Sequence, residues 1–241
     1  MIDAASIPVE TFTEPTTCRL LSTAHIDEPA ISPLADDPAD LDFLHGIEGL
    51  TSGRRVAAVP LPSGVSPQDL VTESHGYGWT HVNAAFCYTR ATGNRFSGPD
   101  RGAWYAAYGG DAVETAQAEV SWHLTRELEA TGVYENLTAY RELLAGFTAP
   151  FHDLHGFAGE AFLDPDPAEG YRAGQTLAAT LLSRGSNGVL YPSVRRPGGC
   201  CLAAFRPSLV QNIRQGTIWA FEWDGQPEPH IRPLTRTAKR R

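Results

Sequence analysis

Three short segments carry side chains whose types could do chemistry together. Gly93-Asn94-Arg95-Phe96-Ser97-Gly98 sets an arginine inside a glycine-bracketed loop. Trp104-Tyr105-Ala106-Ala107 offers a phenol, and Glu119 follows on a helical stretch. Tyr191-Pro192-Ser193-Val194-Arg195-Arg196-Pro197-Gly198-Gly199 offers a hydroxyl beside two bases. A guanidinium can grip phosphate or carboxylate through a bidentate fork. A carboxylate can stabilise developing positive charge. Ser193 has no His/Asp partners in a triad context, so it does not read as an acyl-type nucleophile. Taken singly, each residue also has an ordinary reading. Arg95 could be a surface loop arginine, Tyr105 a packed strand aromatic, and Ser193 a turn hydroxyl.

The elements that must position these groups follow from the pattern. Asp111–Ala130 is the clearest helix, with Asp111 as a cap and Gly132 beyond its end. At about 100° per residue, Val113, Ala116, Val120, Leu124 and Leu128 form one apolar stripe. Glu119 falls at the border of that stripe, near Ala112, His123 and Arg126, and Glu114 lies on the opposite flank. Pattern alone leaves a solvated Glu119 paired with His123 or Arg126 as the simpler reading. A second helix starts at Asp166-Pro167 and runs to about Ser183. A third is expected from Asp37-Pro38 to about Leu50. Strands are expected at Thr17–Ser22, Arg55–Leu61, His81–Tyr88, Ala103–Ala107, Gly188–Tyr191, Cys200–Phe205 and Thr217–Trp223. Residues 134–155 suggest two strands around Gly146–Pro150, and Thr89–Gly102 reads as loop. Helices and strands mix without regular βαβ alternation. That predicts an α+β fold with mixed β-sheets and flanking helices.

Composition narrows the classes. With 241 residues and 42% hydrophobic content, a sizeable core can form. The net charge of −9 argues against non-specific binding to nucleic acid. Lys239 is the only lysine, so phosphate recognition must use arginine, and no Walker A loop exists. No GxGxxG follows a strand and no GxSxG elbow occurs. No apolar run approaches the roughly 20 residues of a membrane helix, and Met1–Leu20 has neither early positive charge nor an apolar stretch. Cys18, Cys87, Cys200 and Cys201 form no CxxC pair, so reduced thiols in a cytoplasmic setting are expected. His152 and His155 in HDLH lack a third ligand, and no metal site is expected. The basic tail from Arg232 to Arg241 reads as a solvated end.

The ordered segments GNRFSG, WYAA, ETAQAEV and GVLYPSVRRPGG, followed by CLAAF, resemble the RES domain, a family named for an Arg, a Glu and a Ser. Arg95, Tyr105, Glu119 and Ser193 match its positions in order, over about residues 81–223. Arg19-Leu20 and Gly49-Leu50-Thr51 resemble the leader of longer members. The Tyr-to-Glu spacing exceeds that of compact members, with Tyr108-Gly109-Gly110 as the insertion; local context favours Glu119 over Glu114.

The resemblance implies a fold similar to ADP-ribosyltransferases, with a leader at 1–80, a catalytic core at 81–225 and a basic tail at 226–241. It implies a toxin that degrades NAD by hydrolysis or phosphorolysis, or else a mono-ADP-ribosyltransferase acting on a cytoplasmic protein. NAD is then substrate, no other cofactor is needed, and inorganic phosphate is a candidate co-substrate. An Xre-type helix-turn-helix antitoxin is the expected partner, with a toxin homodimer within that complex. On this reading Glu119 stabilises the ribosyl cation and Arg95 grips phosphate. Tyr105 stacks on or hydrogen-bonds nicotinamide, Ser193 orients a ribose hydroxyl or phosphate, and Arg90 and Arg195 are further phosphate ligands.

Overall fold

A computed structural model describes residues 3–25 and 61–234. The helix expected over 37–50, the strand over 55–61 apart from its last residue, and the tail beyond 234 lie outside the described residues. The strands are β1 (Val9–Ser22), β2 (Trp104–Tyr108), β3 (Glu135–Asp153), β4 (Gly188–Pro192), β5 (Cys200–Ala204), β6 (Gln211–Asp224) and β7 (His230–Pro233). The helices are α1 (Trp79–Cys87), α2 (Ala112–Thr131) and α3 (Pro167–Ser183). The strand order is β1-β2-β5-β4-β3-β6-β7, with β1 also pairing β3. The sheet is mixed, because β4 runs parallel to the end of β3 while β2, β5 and β4 pair antiparallel. Mixed strands with helices make this an α+β fold. Among the described residues no helix is long and apolar enough to cross a membrane.

The chain divides into two compact units. Among the described residues the first comprises 3–19, 61–119 and 144–214, and it carries every candidate site residue. Its centre is the β2-β5-β4 ribbon. Register puts Tyr105, Ala107, Ala203, Cys201, Val189 and Tyr191 on one face, because directly opposed residues share a face and neighbours alternate. Trp104, Ala106, Leu202 and Leu190 point the other way, and Trp104 and Leu202 are fully buried. The second unit comprises 20–25, 120–143 and 215–234. In it β6 and β7 pair antiparallel from Trp219–Pro233 to Glu222–His230, over a small core of Ala139, Ile218, Ala220 and Leu234.

Local sequence explains most elements. Asp166 caps α3 through the Ala168 N–H, and Pro167 occupies the first turn, where its missing donor is harmless. Four expectations need correction. His81–Tyr88 is helix rather than strand: Val82 and Phe86, four residues apart, both bury completely, and the Asn83 side chain bonds both the N–H and the C=O of Val71. Residues 135–153 form one strand rather than two. Pro150 is exposed there, and Gly146 lets the Pro15 carbonyl approach to 3.3 Å from where a Cβ would stand. Strand β1 begins at Val9 and β6 at Gln211, both earlier than hydrophobic runs indicate. Strand β7 lies in a stretch that reads as tail.

Candidate active site

The Arg95 loop is narrow. The Asn94 N–H donates to the Ser97 carbonyl at 2.8 Å, and Gly93 takes a φ of +63° that favours glycine. Arg95 is 5% exposed. Its Nη1 donates to the carbonyls of Phe162 (2.9 Å) and Asp164 (2.8 Å). Both Nη1 hydrogens are thereby used. Nε and Nη2 make no hydrogen bond among the described residues, and this edge can still form a bidentate fork. The Tyr171 ring lies 5.6 Å from the guanidinium carbon.

Helix α3 can approach this loop closely because Gly170 and Gly174 sit one turn apart on it. A Cβ at Gly174 would stand 2.1 Å from the Arg95 carbonyl oxygen, and one at Gly170 would stand 2.5 Å from Arg95 Nη1. Tyr105 grips the loop from the sheet. Its hydroxyl accepts the Phe96 N–H at 2.9 Å and lies 3.0 Å from Ser97 Oγ. Burial pushes the phenol up to about 12, against the pull of these hydrogen bonds. The Tyr105 hydroxyl is therefore committed to the Arg95 loop, and the ring is what remains to offer a ligand.

Glu119 and Ser193 meet directly. Ser193 Oγ donates to Glu119 Oε1 at 2.6 Å and accepts the backbone N–H groups of Arg195 (3.2 Å) and Arg196 (3.1 Å). One proton and two lone pairs exhaust a hydroxyl. Ser193 is thus saturated by protein, and it fixes the carboxylate rather than reaching a ribose hydroxyl itself. Burial raises the Glu119 pKa above the ordinary carboxyl range, while the Ser193 bond and the charges of Arg195 and Arg95 pull it down. Glu119 Oε2 makes no hydrogen bond among the described residues.

Helix α2 holds the Ser193 loop along one stripe. Asp111, Thr115 and Glu119 lie at i, i+4 and i+8 and so share a face. Asp111 pairs with Arg196, the fully buried Thr115 packs where a Cβ on Gly199 would clash, and Glu119 takes Ser193. This spacing explains why Glu119 engages the loop; Glu114 is exposed. Arg195 Nη2 donates to the Pro165 carbonyl at 2.8 Å, and its charge reaches Glu119. Arg90 is exposed, and its carbonyl accepts the Gly93 N–H. His152 and His155 do not act together: the first bonds Ser186 Oγ, the second pairs with Asp153.

Sequence reasoning missed several neighbours. Tyr191 is buried on the same sheet face as Tyr105, with its ring edge-on to Phe96 at 4.9 Å. Tyr171, Gly170 and Gly174 also belong to the Arg95 environment. The available signal was two helix-interior glycines at i and i+4, which mark a close backbone approach.

The site joins a guanidinium fork to a seryl-fixed carboxylate in an α+β fold. The RES domain family model matches residues 70–224, and the chain belongs to that family. RES domains are toxin-type domains associated with NAD-acting enzymes. A comparison with curated proteins finds no match.

Proposed function

We propose that this protein is the toxin of a toxin–antitoxin system and depletes NAD by cleaving its nicotinamide–ribose bond. One observation carries the reading: the Glu119 carboxylate is fixed by Ser193 at 2.6 Å, within the field of Arg95. Bond cleavage sends both electrons of the C1′–N bond to nicotinamide, which leaves neutral and needs no general acid. Positive charge develops on the ribose, as in glycoside hydrolysis. Glu119, presenting Oε2, stabilises that charge electrostatically or through the ribose 2′-hydroxyl. Arg95 grips the pyrophosphate with Nε and Nη2. The Tyr105 ring packs beside nicotinamide, and Arg195 and Arg90 add positive charge toward the phosphates.

Capture of the cation by water gives ADP-ribose and a proton; capture by inorganic phosphate gives ADP-ribose 1″-phosphate. The buried, raised carboxyl of Glu119 suits it to take the proton from either acceptor. An Xre-type helix-turn-helix antitoxin would block the cleft, in the cytoplasm, around a toxin homodimer. The test is purified protein incubated with NAD, with and without phosphate, followed by product chromatography. Nicotinamide release is expected, and the partner product identifies the acceptor. No release in either condition rejects the proposal; label from NAD stably attached to a protein band would replace it with mono-ADP-ribosylation.

A further inference from the structure

We infer that Gln175 is the positioning residue that presents Arg95 to its ligand. Gln175 lies half-buried on α3, immediately after Gly174. Its Nε2 donates to the carbonyls of Thr92 and Asn94, both at 2.9 Å. These two carbonyls flank Gly93, where the chain turns into the Arg95 loop. A Cβ on Gly93 would lie 2.7 Å from Gln175 Nε2, so the amide sits flush against the turn. One planar amide group with two hydrogens satisfies two acceptors. No shorter or donor-free side chain at this position can do so.

Gln175 closes one side of a two-sided clamp. Tyr105 holds the exit of the loop through the Phe96 N–H and Ser97 Oγ, and Gln175 holds the entry through Thr92 and Asn94. Arg95 stands between them. Its Nη1 is tied to Phe162 and Asp164, so the direction of the open Nε/Nη2 edge depends on where the backbone of residues 92–97 is held. A fork meets a phosphate productively only over a narrow range of angles. Gln175 touches no reacting atom; it acts through Arg95.

This inference rests on the reading of Arg95 as the phosphate grip, and the test separates the two. Affinity for ADP-ribose, which keeps the pyrophosphate and has no nicotinamide bond to cleave, is measured by calorimetry for wild type, Arg95→Ala, Gln175→Met and the double variant, and KM and kcat for NAD are measured for Gln175→Met. Gln175→Met keeps the length and loses both donors. It is expected to bind ADP-ribose about tenfold more weakly, with KM for NAD raised and kcat nearly unchanged, as for loss of uniform binding. In the Arg95→Ala background the same substitution is expected to cause no further loss, because its route of action is gone. Wild-type affinity in Gln175→Met, or an equal loss in both backgrounds, overturns the positioning role while leaving the proposed function intact. Wild-type affinity in Arg95→Ala overturns the phosphate grip and the positioning role together. Should Gln175→Met fail to fold, Gln175→Asn replaces it in the cycle. Its amide stops one methylene short, and the same outcomes decide.

Discussion

Replacing Ser193 with alanine removes three hydrogen bonds at one atom. The bond to Glu119 Oε1, at 2.6 Å, is charge-assisted when the carboxyl is ionised, a type worth about 1.5–3 kcal/mol. The two amide bonds from Arg195 and Arg196 are longer, and their N–H groups lie in a half-buried loop that water can reach. Folding stability should therefore fall by about 2–3 kcal/mol, most of it from the Glu119 bond. Catalysis should suffer as well. A carboxylate released from its tether drifts, and a misplacement of about 1 Å at a reacting centre costs on the order of 100-fold in rate. The pH profile supplies a sharper signature. The Ser193 bond favours the charged form of Glu119, so its loss moves an already raised pKa further upward. Because the proposed reaction uses the ionised carboxylate, the acidic limb of kcat shifts to higher pH in Ser193→Ala. Ser193→Thr, which keeps a hydroxyl, should hold the limb near its wild-type position. Nicotinamide release measured across pH by chromatography reads both effects. An unshifted or acid-shifted limb in a folded Ser193→Ala protein would refute the tether.

Other variants follow from the same contacts. Glu119→Gln should be more stable than wild type near pH 7. The unfolded carboxyl ionises near about 4.3 while the folded one ionises higher, so the native state holds the extra proton between those values and wild-type stability falls as pH rises through that window. Urea unfolding at several pH values should show the two proteins converging as pH drops toward 4. Tyr105→Phe strands the Phe96 N–H and Ser97 Oγ and should cost about 1–2 kcal/mol, measured by urea unfolding. The wild-type phenol, pushed up to about 12 from an ordinary value of 10.0, should also make stability fall as pH rises between those values, a slope the Phe variant lacks. Gly174→Ala drives a methyl to within 2.1 Å of the Arg95 carbonyl oxygen and should lower stability by about 1–3 kcal/mol. Gly156→Ala, which meets nothing within 4 Å, should leave thermal unfolding unchanged.

The sequence announces elements whose signals are local. Asp166-Pro167 marks the start of α3, and the stripe from Val113 to Leu128 marks α2. It misleads where tertiary packing decides. The run His81–Tyr88 is apolar enough for a strand, yet Val82 and Phe86 bury together only on a helix. Gly146 and Pro150 look like breakers in β3, but one lies close against the backbone of β1 and the other is exposed. Type and periodicity leave each of the four candidate site residues an ordinary reading; the resemblance to the RES domain singles them out together, and neither gives their assignments to one another. That Ser193 spends its whole hydroxyl on Glu119 and two amides depends on where the loop after β4 meets α2. The closeness of α3 to Arg95 was written in Gly170 and Gly174, a spacing that means little until the facing backbone is known.

The most direct test pairs two readings on one variant, Glu119→Gln: its affinity for ADP-ribose by calorimetry and its rate of nicotinamide release from NAD. The account predicts near wild-type binding, because Arg95 and the loop around it are untouched, with release slowed by at least about 100-fold, as for loss of a preorganised charge worth about 3–4 kcal/mol. Release at the wild-type rate from a folded Glu119→Gln protein would contradict it.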